Sequence, residues 1–307
     1  MPPLRIGVFQ PAQRPLAELL PAARAAEQLG YDELWVAEDC FLSGGPTAAA
    51  TVLARTESIG VGIGLLPAAV RNPAIAAMEI ATLASLHPGR FRAAFGHGVP
   101  GWMRQIGAAP SKRLKVLRET VESVRALLHG EELDRDGELF ALREVALDQP
   151  PDQPPEILIG TTGPRGIGVA AEVADGLVLP EGAGPAAVAA AAELLGPKPI
   201  VVYAWTRIDD DGERARAGLI PTVEAWRDSG LYEVQAAHAG LSADVAIDGE
   251  AVARVSVAGD AGECAAALAR LAEAGASTVL LMPVAAQPVE QLERFAAEVM
   301  PSFNAVR

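Results

Sequence analysis

Short apolar runs alternate along this chain with longer amphipathic or alanine-rich stretches. The runs at residues 5–9, 33–38, 59–66, 91–95 and 157–159 read as strands, as do the run that closes at Pro180 and those at 200–208 and 278–282. Between them, stretches with helical spacing predict helices over 16–29, 46–56, 111–128, 165–174, 185–195, 261–274 and 289–300. Gly30 supplies a helix stop, and Asn72-Pro73 caps a helix running to Leu86. Residues 133–147 predict a hairpin turning at Asp136-Gly137, and 209–241 a helical insertion before the last unit.

Eight strand–helix units in 307 residues predict an α/β fold, a (β/α)₈ TIM barrel formed by a single domain over 1–307. A doubly wound open sheet is the alternative, because alternation alone does not establish closure. In a barrel, function sits on the loops after the strands. Four of those loops carry unusual residues: 38–45, 66–72, 96–110 and 160–166.

The segment 157–180 is the most informative. A brief strand ends at Gly160. Thr161, Thr162 and Gly163 turn the chain, and Pro164 sits where a helix begins. A helix start behind small residues leaves backbone N–H groups free to hold a phosphate, and Arg165 adds a fixed positive charge. The alternative is a tight turn whose glycines only bend the chain.

Composition narrows the class. Half the residues are hydrophobic, and a net charge of −14 argues against nucleic acid or an anionic membrane surface as partner. Cys40 and Cys264 form neither a metal-ligand pair nor a disulfide framework, so a reduced, cytoplasmic setting is expected. The amino terminus lacks a basic region followed by an apolar one, so no signal peptide is expected, and no apolar stretch is long enough to span a membrane.

The stretches AEDCFLSGG, VGIGLLPAAVRNPAIAAMEIATLASLHPGRF, FGHGVPGWMRQIG, IGTTGPRGIGVAAEVADGLVLP and VAGDAGECAAALARLAEAGASTVLLMPV together resemble the bacterial luciferase-like superfamily of flavin and deazaflavin oxidoreductases. Within it they resemble the methylenetetrahydromethanopterin reductase-like branch, which uses coenzyme F420. The region 209–253 is the least recognisable. The resemblance implies a TIM barrel, commonly dimeric, that moves a hydride between the deazaflavin and a small organic substrate. An FMN-dependent monooxygenase using reduced FMN and oxygen, or a non-catalytic flavin-binding barrel, are the alternatives.

The resemblance also implies roles. A bulge with a non-prolyl cis peptide within Ile63, Gly64 and Leu65 would support the ring. The bare-residue alternative is that Gly60, Gly62 and Gly64 make room for large side chains inside the barrel. The backbone of Gly160, Thr161, Thr162, Gly163, Pro164, Arg165 and Gly166 would meet the phosphate, with Val178, Leu179 and Pro180 beside it; Glu181 argues against a close phosphate unless it points away. Gly96, His97 and Gly98 would border the ring. Related deazaflavin enzymes often carry Asp-His-Phe where this chain has Asp39, Cys40 and Phe41, so Cys40 stands in the histidine's place, either as a thiol or as an apolar filler. Asp39 and Glu38 would accept hydrogen bonds. The glucose-6-phosphate branch places a glutamate where Val99 stands here, which leaves His97 as the best proton-handling group; its ordinary pKa suits that work. Val99, Trp102 and Arg104 would line the substrate pocket, and Arg71, Arg104 and Arg165 would supply positive charge at the mouth.

Overall fold

The apolar runs are rich in Val, Ile and Leu, which suit a strand buried on both faces. They become the strands of a computed structural model that describes residues 3–301. Met1 and Pro2 of the leader reading, and 302–307 of the 1–307 domain reading, lie outside the described residues. In chain order the strands are β1 (Arg5–Gln10), β2 (Glu33–Val36), β3 (Gly60–Pro67), β4 (Phe91–Gly96), β5 (Leu133–Asp136), β6 (Ala141–Val145), β7 (Ile157–Gly160), β8 (Gly176–Leu179), β9 (Ile200–Ile208), β10 (Ser256–Gly259) and β11 (Thr278–Pro283).

Eight of them are parallel neighbours in the order β1, β2, β3, β4, β7, β8, β9, β11. The β8–β9 pair, Leu177 opposite Ile200, and the β11–β1 pair, Thr278 opposite Arg5, complete the ring. The sheet is therefore a closed barrel, and the open-sheet alternative is excluded. The hairpin falls where the sequence placed it: β5 and β6 pair antiparallel, with Gly137 N–H bonding to the Phe140 carbonyl.

The helices form the outer layer. Arg113–Leu128 turns Val116, Leu117, Val121, Val124, Leu127 and Leu128 to the sheet, a spacing that keeps one stripe inward. Asn72 caps Pro73–Leu86 as read, its Oδ1 accepting from Ala74 N–H at 2.9 Å.

The interior is layered. At the amino-terminal end Glu33, 2% exposed, is held by Arg5 at 2.7 Å, by Arg92, and by the Trp35 indole N–H at 2.7 Å. Above this ionic floor, Phe9, Trp35, Leu158, Val178, Val201, Tyr203 and Leu280 fill the barrel. Gly62 and Gly64 face inward on β3. A Cβ on Gly62 would come within 2.1 Å of the Trp35 ring, and one on Gly64 within 1.8 Å of the Tyr203 hydroxyl. The glycines here do make room for large interior side chains.

The insertion differs in detail from the reading. It comprises Gly212–Ala217, Ile220–Asp228 and Glu233–His238, followed by a further helix, Gly249–Val255. These pack on a core of their own around Trp205, Val223, Trp226 and Val252. β10, which the sequence did not reveal, pairs with residues 205–208 of β9, beyond the stretch covered by β8. Its Ser-Val-Ala-Gly has little intrinsic strand preference, and the exposed upper edge of a long β9 sets its conformation. Among the described residues, no helix is long and apolar enough to cross a membrane.

Candidate active site

Three loops and one bulge meet at the carboxyl-terminal mouth of the barrel. The Gly64–Leu65 peptide is cis, and the β3–β4 register shifts between Gly64 and Leu66. This lies within the three residues the resemblance singled out. The Tyr203 hydroxyl donates to the Gly64 carbonyl at 3.2 Å. Ile63, by contrast, is fully buried in the outer core, so only its backbone reaches the interior. The Leu65 side chain lies across the ends of β4 and β7. A Cβ on Gly96 would approach it to 2.3 Å, and one on Gly160 to 2.2 Å. Two strand ends without side chains thus leave Leu65 a flat apolar cradle, a shape that fits one face of a planar ring.

The β7 loop presents an uncapped helix start. Gly163 is the N-cap of Pro164–Val173, with no side chain bonded to the first-turn N–H groups. Unpaired first-turn donors are what an anion needs. Thr161 packs over the turn, since a Cβ on Gly166 would meet its Oγ1 at 2.2 Å. Arg165 is exposed there. Beside the loop, Val178 belongs to the barrel interior and Leu179 to the outer core, so both offer backbone only, and Pro180 is half-buried at the rim.

After β4, His97 is half-buried and precedes Gly98, whose φ of +67° turns the chain over the Met103 side chain. Burial lowers the His97 pKa below its ordinary value of 6.5, and the Arg113 charge lowers it further. The ring is therefore uncharged at neutral pH. Val99 is the N-cap of the short helix Pro100–Gln105. Trp102 is half-buried and Arg104 exposed; two positions apart on one helix, they do not face each other.

The β2 loop requires a correction. Arg71 is not a free cation at the mouth: its guanidinium clasps Glu38, with Nη2 at 2.8 Å from Oε2, and its Nε lies 2.9 Å from Glu79. Glu38 also accepts from Gly45 N–H at 2.8 Å. Both residues are spent on holding the loop. The Cys40 thiol is kept protonated, by burial first and then by the charges of Glu38 and Asp39, so it is no thiolate.

Opposite lies a polar group whose partner the sequence did not reveal. Glu181, just past β8, accepts from the Tyr232 hydroxyl at 3.2 Å, which turns it toward the insertion. Burial raises its pKa, and repulsion from Asp39 adds to that. Burial likewise raises Asp39, against a bond from Gln13 at 3.3 Å, and holds the Tyr203 phenol protonated. Trp226 stacks on Tyr232 with ring centres 6.0 Å apart and meets Trp205 edge-on at 5.6 Å. Position just beyond a barrel strand was the one signal for Glu181; Tyr232, the N-cap of Glu233–His238, lies far along the chain and left none.

Comparison with known proteins agrees with this geometry. The model of the luciferase-like monooxygenase family matches residues 3–278. An F420-dependent glucose-6-phosphate dehydrogenase of Nakamurella multipartita is 30% identical over 197 residues, 60% of this chain and 58% of that protein. The chain spans less than two thirds of the length of the curated relatives it matches. A coenzyme F420-dependent tetrahydromethanopterin reductase from Methanopyrus kandleri shares the fold at TM-score 0.86 and 19% identity, over 98% of this chain and 99% of that one. The oxygenating constituent of a 3,6-diketocamphane monooxygenase from Pseudomonas putida, in complex with FMN, shares it at TM-score 0.75 and 18% identity, over 97% and 98%.

Proposed function

The chain belongs to the luciferase-like monooxygenase family, and from that premise we propose that it is a coenzyme F420-dependent oxidoreductase acting on a small organic substrate. The observation that carries this reading is the convergence at one mouth of the Leu65 cradle between Gly96 and Gly160 with the uncapped helix start at Gly163. A planar ring on the first and a phosphate at the second would lie along one line of strand ends, from β3 to β7. The sequence relatives named for F420 support the deazaflavin over FMN.

When bound, the deazaflavin supplies a carbon that accepts or returns a hydride. The chain's own residues do the rest. Leu65 supports the ring, and the loop from Thr161 to Gly166 holds the phosphate with the free backbone N–H groups of its uncapped helix start, Arg165 adding charge. His97, uncharged, accepts the hydroxyl proton of an alcohol-type substrate as the hydride leaves its carbon, and returns it in the reverse direction. Trp226 and Tyr232 wall the side toward Glu181. Burial disfavours the charge of both Asp39 and Glu181 and raises the pKa of each above its ordinary value. Comparing the affinities of F420 and FMN tests the assignment. The runner-up, an FMN monooxygenase, requires reduced FMN to bind more tightly and to consume oxygen.

A homodimer completes the reading. Helix Pro73–Leu86 exposes Ile75, Met78 and Leu86 along one side, with Val70 just before it, and Met78 is 52% exposed. Exposed apolar side chains gathered on one side of a helix suit an association surface. Light scattering on the native chain should give a dimer, and Met78→Glu a monomer, because a charge cannot be buried there unpaired. A native monomer would remove this part of the proposal.

A further inference from the structure

Six arginines lie between residues 209 and 300, a stretch without a lysine. Four of them meet a carboxylate: Arg214 on Asp209, Arg216 on Glu263, Arg227 on Asp228, and Arg294 on Asp210 and Glu298. Among the described residues, the guanidinium groups of the other two, Arg254 and Arg270, have neither an ion pair nor a hydrogen bond. They come from different helices, Gly249–Val255 and Ala261–Glu273, yet both line one open hollow of about 780 Å³. The start of helix Pro185–Leu195 and His238 form the facing wall, and no aspartate or glutamate lines it. A Cβ on Gly184 would come within 1.9 Å of the Arg254 carbonyl, so the helix that carries Arg254 packs directly on this turn.

In a chain with a net charge of −14, two unpaired guanidinium groups in one acid-free hollow make a local field that draws anions. The hollow also adjoins the phosphate loop. A neighbouring hollow, lined by Thr162 and Pro164 of that loop, shares Ala187 and His238 with it. Both hollows run past the start of Pro185–Leu195, which lies beside Pro164–Val173 in the outer layer, at the usual helix spacing of about 10 Å. An extended chain covers ~3.5 Å per residue, so a tail of about three such units spans the gap between the two helix starts. We propose that Arg254 and Arg270 seat the carboxylates of the deazaflavin's glutamyl tail, which leaves the phosphate at Gly163 and follows the two hollows to Gly184. The planar fork of an arginine suits a carboxylate. The proposal rests on the deazaflavin reading of the mouth and adds a second anchor beyond the phosphate.

Fluorescence titration of the purified chain with two forms of the cofactor tests it: one carrying its glutamates, and one that ends at the phospholactate. Arg254→Gln and Arg270→Gln should each weaken the glutamylated form by about threefold, as expected for one exposed ion pair, and leave the shorter form unchanged. The native chain should accordingly bind the glutamylated form about tenfold more tightly than the shorter one, the combined effect of two such pairs. Both arginines are exposed and unpaired, so neither substitution should move the melting temperature. Equal affinity of the native chain for the two forms, or equal losses for both forms in the variants, would overturn the tail seat and leave the deazaflavin at the mouth. Failure of both forms to bind, with FMN bound instead, would overturn the cofactor reading and the tail seat with it.

Discussion

Replacing His97 with alanine is expected to lower kcat for hydride transfer by ~10², while the affinity for the deazaflavin stays within a few fold. The loop after β4 brings this ring to the mouth, and burial with the nearby Arg113 charge keeps it uncharged, ready to accept a proton. Its pKa in the folded chain lies below the ordinary value of 6.5, so the uncharged form persists as pH falls through 6.5 and is lost only at lower pH. The kcat/KM profile for substrate oxidation should therefore have an acid limb below 6.5 in the native enzyme, and the alanine variant should lack it. Steady-state rates across pH decide the matter. Turnover near the native level, with the limb unchanged, would make His97 a wall of the pocket and move the proton to the Asp39 and Glu181 side.

Gly163→Asp is expected to weaken cofactor binding at least tenfold, about 1.4 kcal/mol. The site tolerates the side chain itself: φ at Gly163 is −87°, and a Cβ there meets no atom within 4 Å. Asp is, moreover, a good N-cap, so the helix should fold as well or better. What changes is the electrostatics. The carboxylate would occupy the uncapped first-turn N–H groups and repel a phosphate from the same place. Equal melting temperatures with a tenfold loss in a fluorescence titration would separate binding from folding. Unchanged affinity would take the phosphate away from this loop.

Much of this was legible in the chain because its signals are local. Asn72-Pro73 and Asp136-Gly137 fix a cap and a turn through a few covalently adjacent residues, and both stand where the pattern put them. The eight strands followed from apolar runs, but closure depended on β8 meeting β9, a pairing no local pattern encodes. The glycines of β3 were ambiguous in sequence between room for ring side chains and an unusual backbone, and Gly64 serves both: it clears Tyr203 and begins the cis bond. Tertiary partners account for the misreadings. Arg71 looked like a free cation until Glu38 and Glu79 were seen to surround it. Glu181 looked like an obstacle to phosphate until Tyr232 was found beside it.

The central claim is that this mouth is built for a deazaflavin with an anionic tail rather than for FMN. With Arg71 occupied, Arg165 is the exposed cation at the phosphate loop, and the net charge of −14 opposes any anion not met locally, within a Debye length of ~8 Å at physiological salt. Parallel fluorescence titrations of the purified chain with F420 and with FMN, at low and raised salt and with Arg165→Ala, test this most directly. The expected result is tighter binding of F420, a clear loss of that affinity as salt rises, and a greater loss for F420 than for FMN when Arg165 is removed. Tighter binding of FMN, or FMN-dependent oxygen consumption in the presence of substrate, would contradict the assignment and place the chain with the monooxygenases of its family.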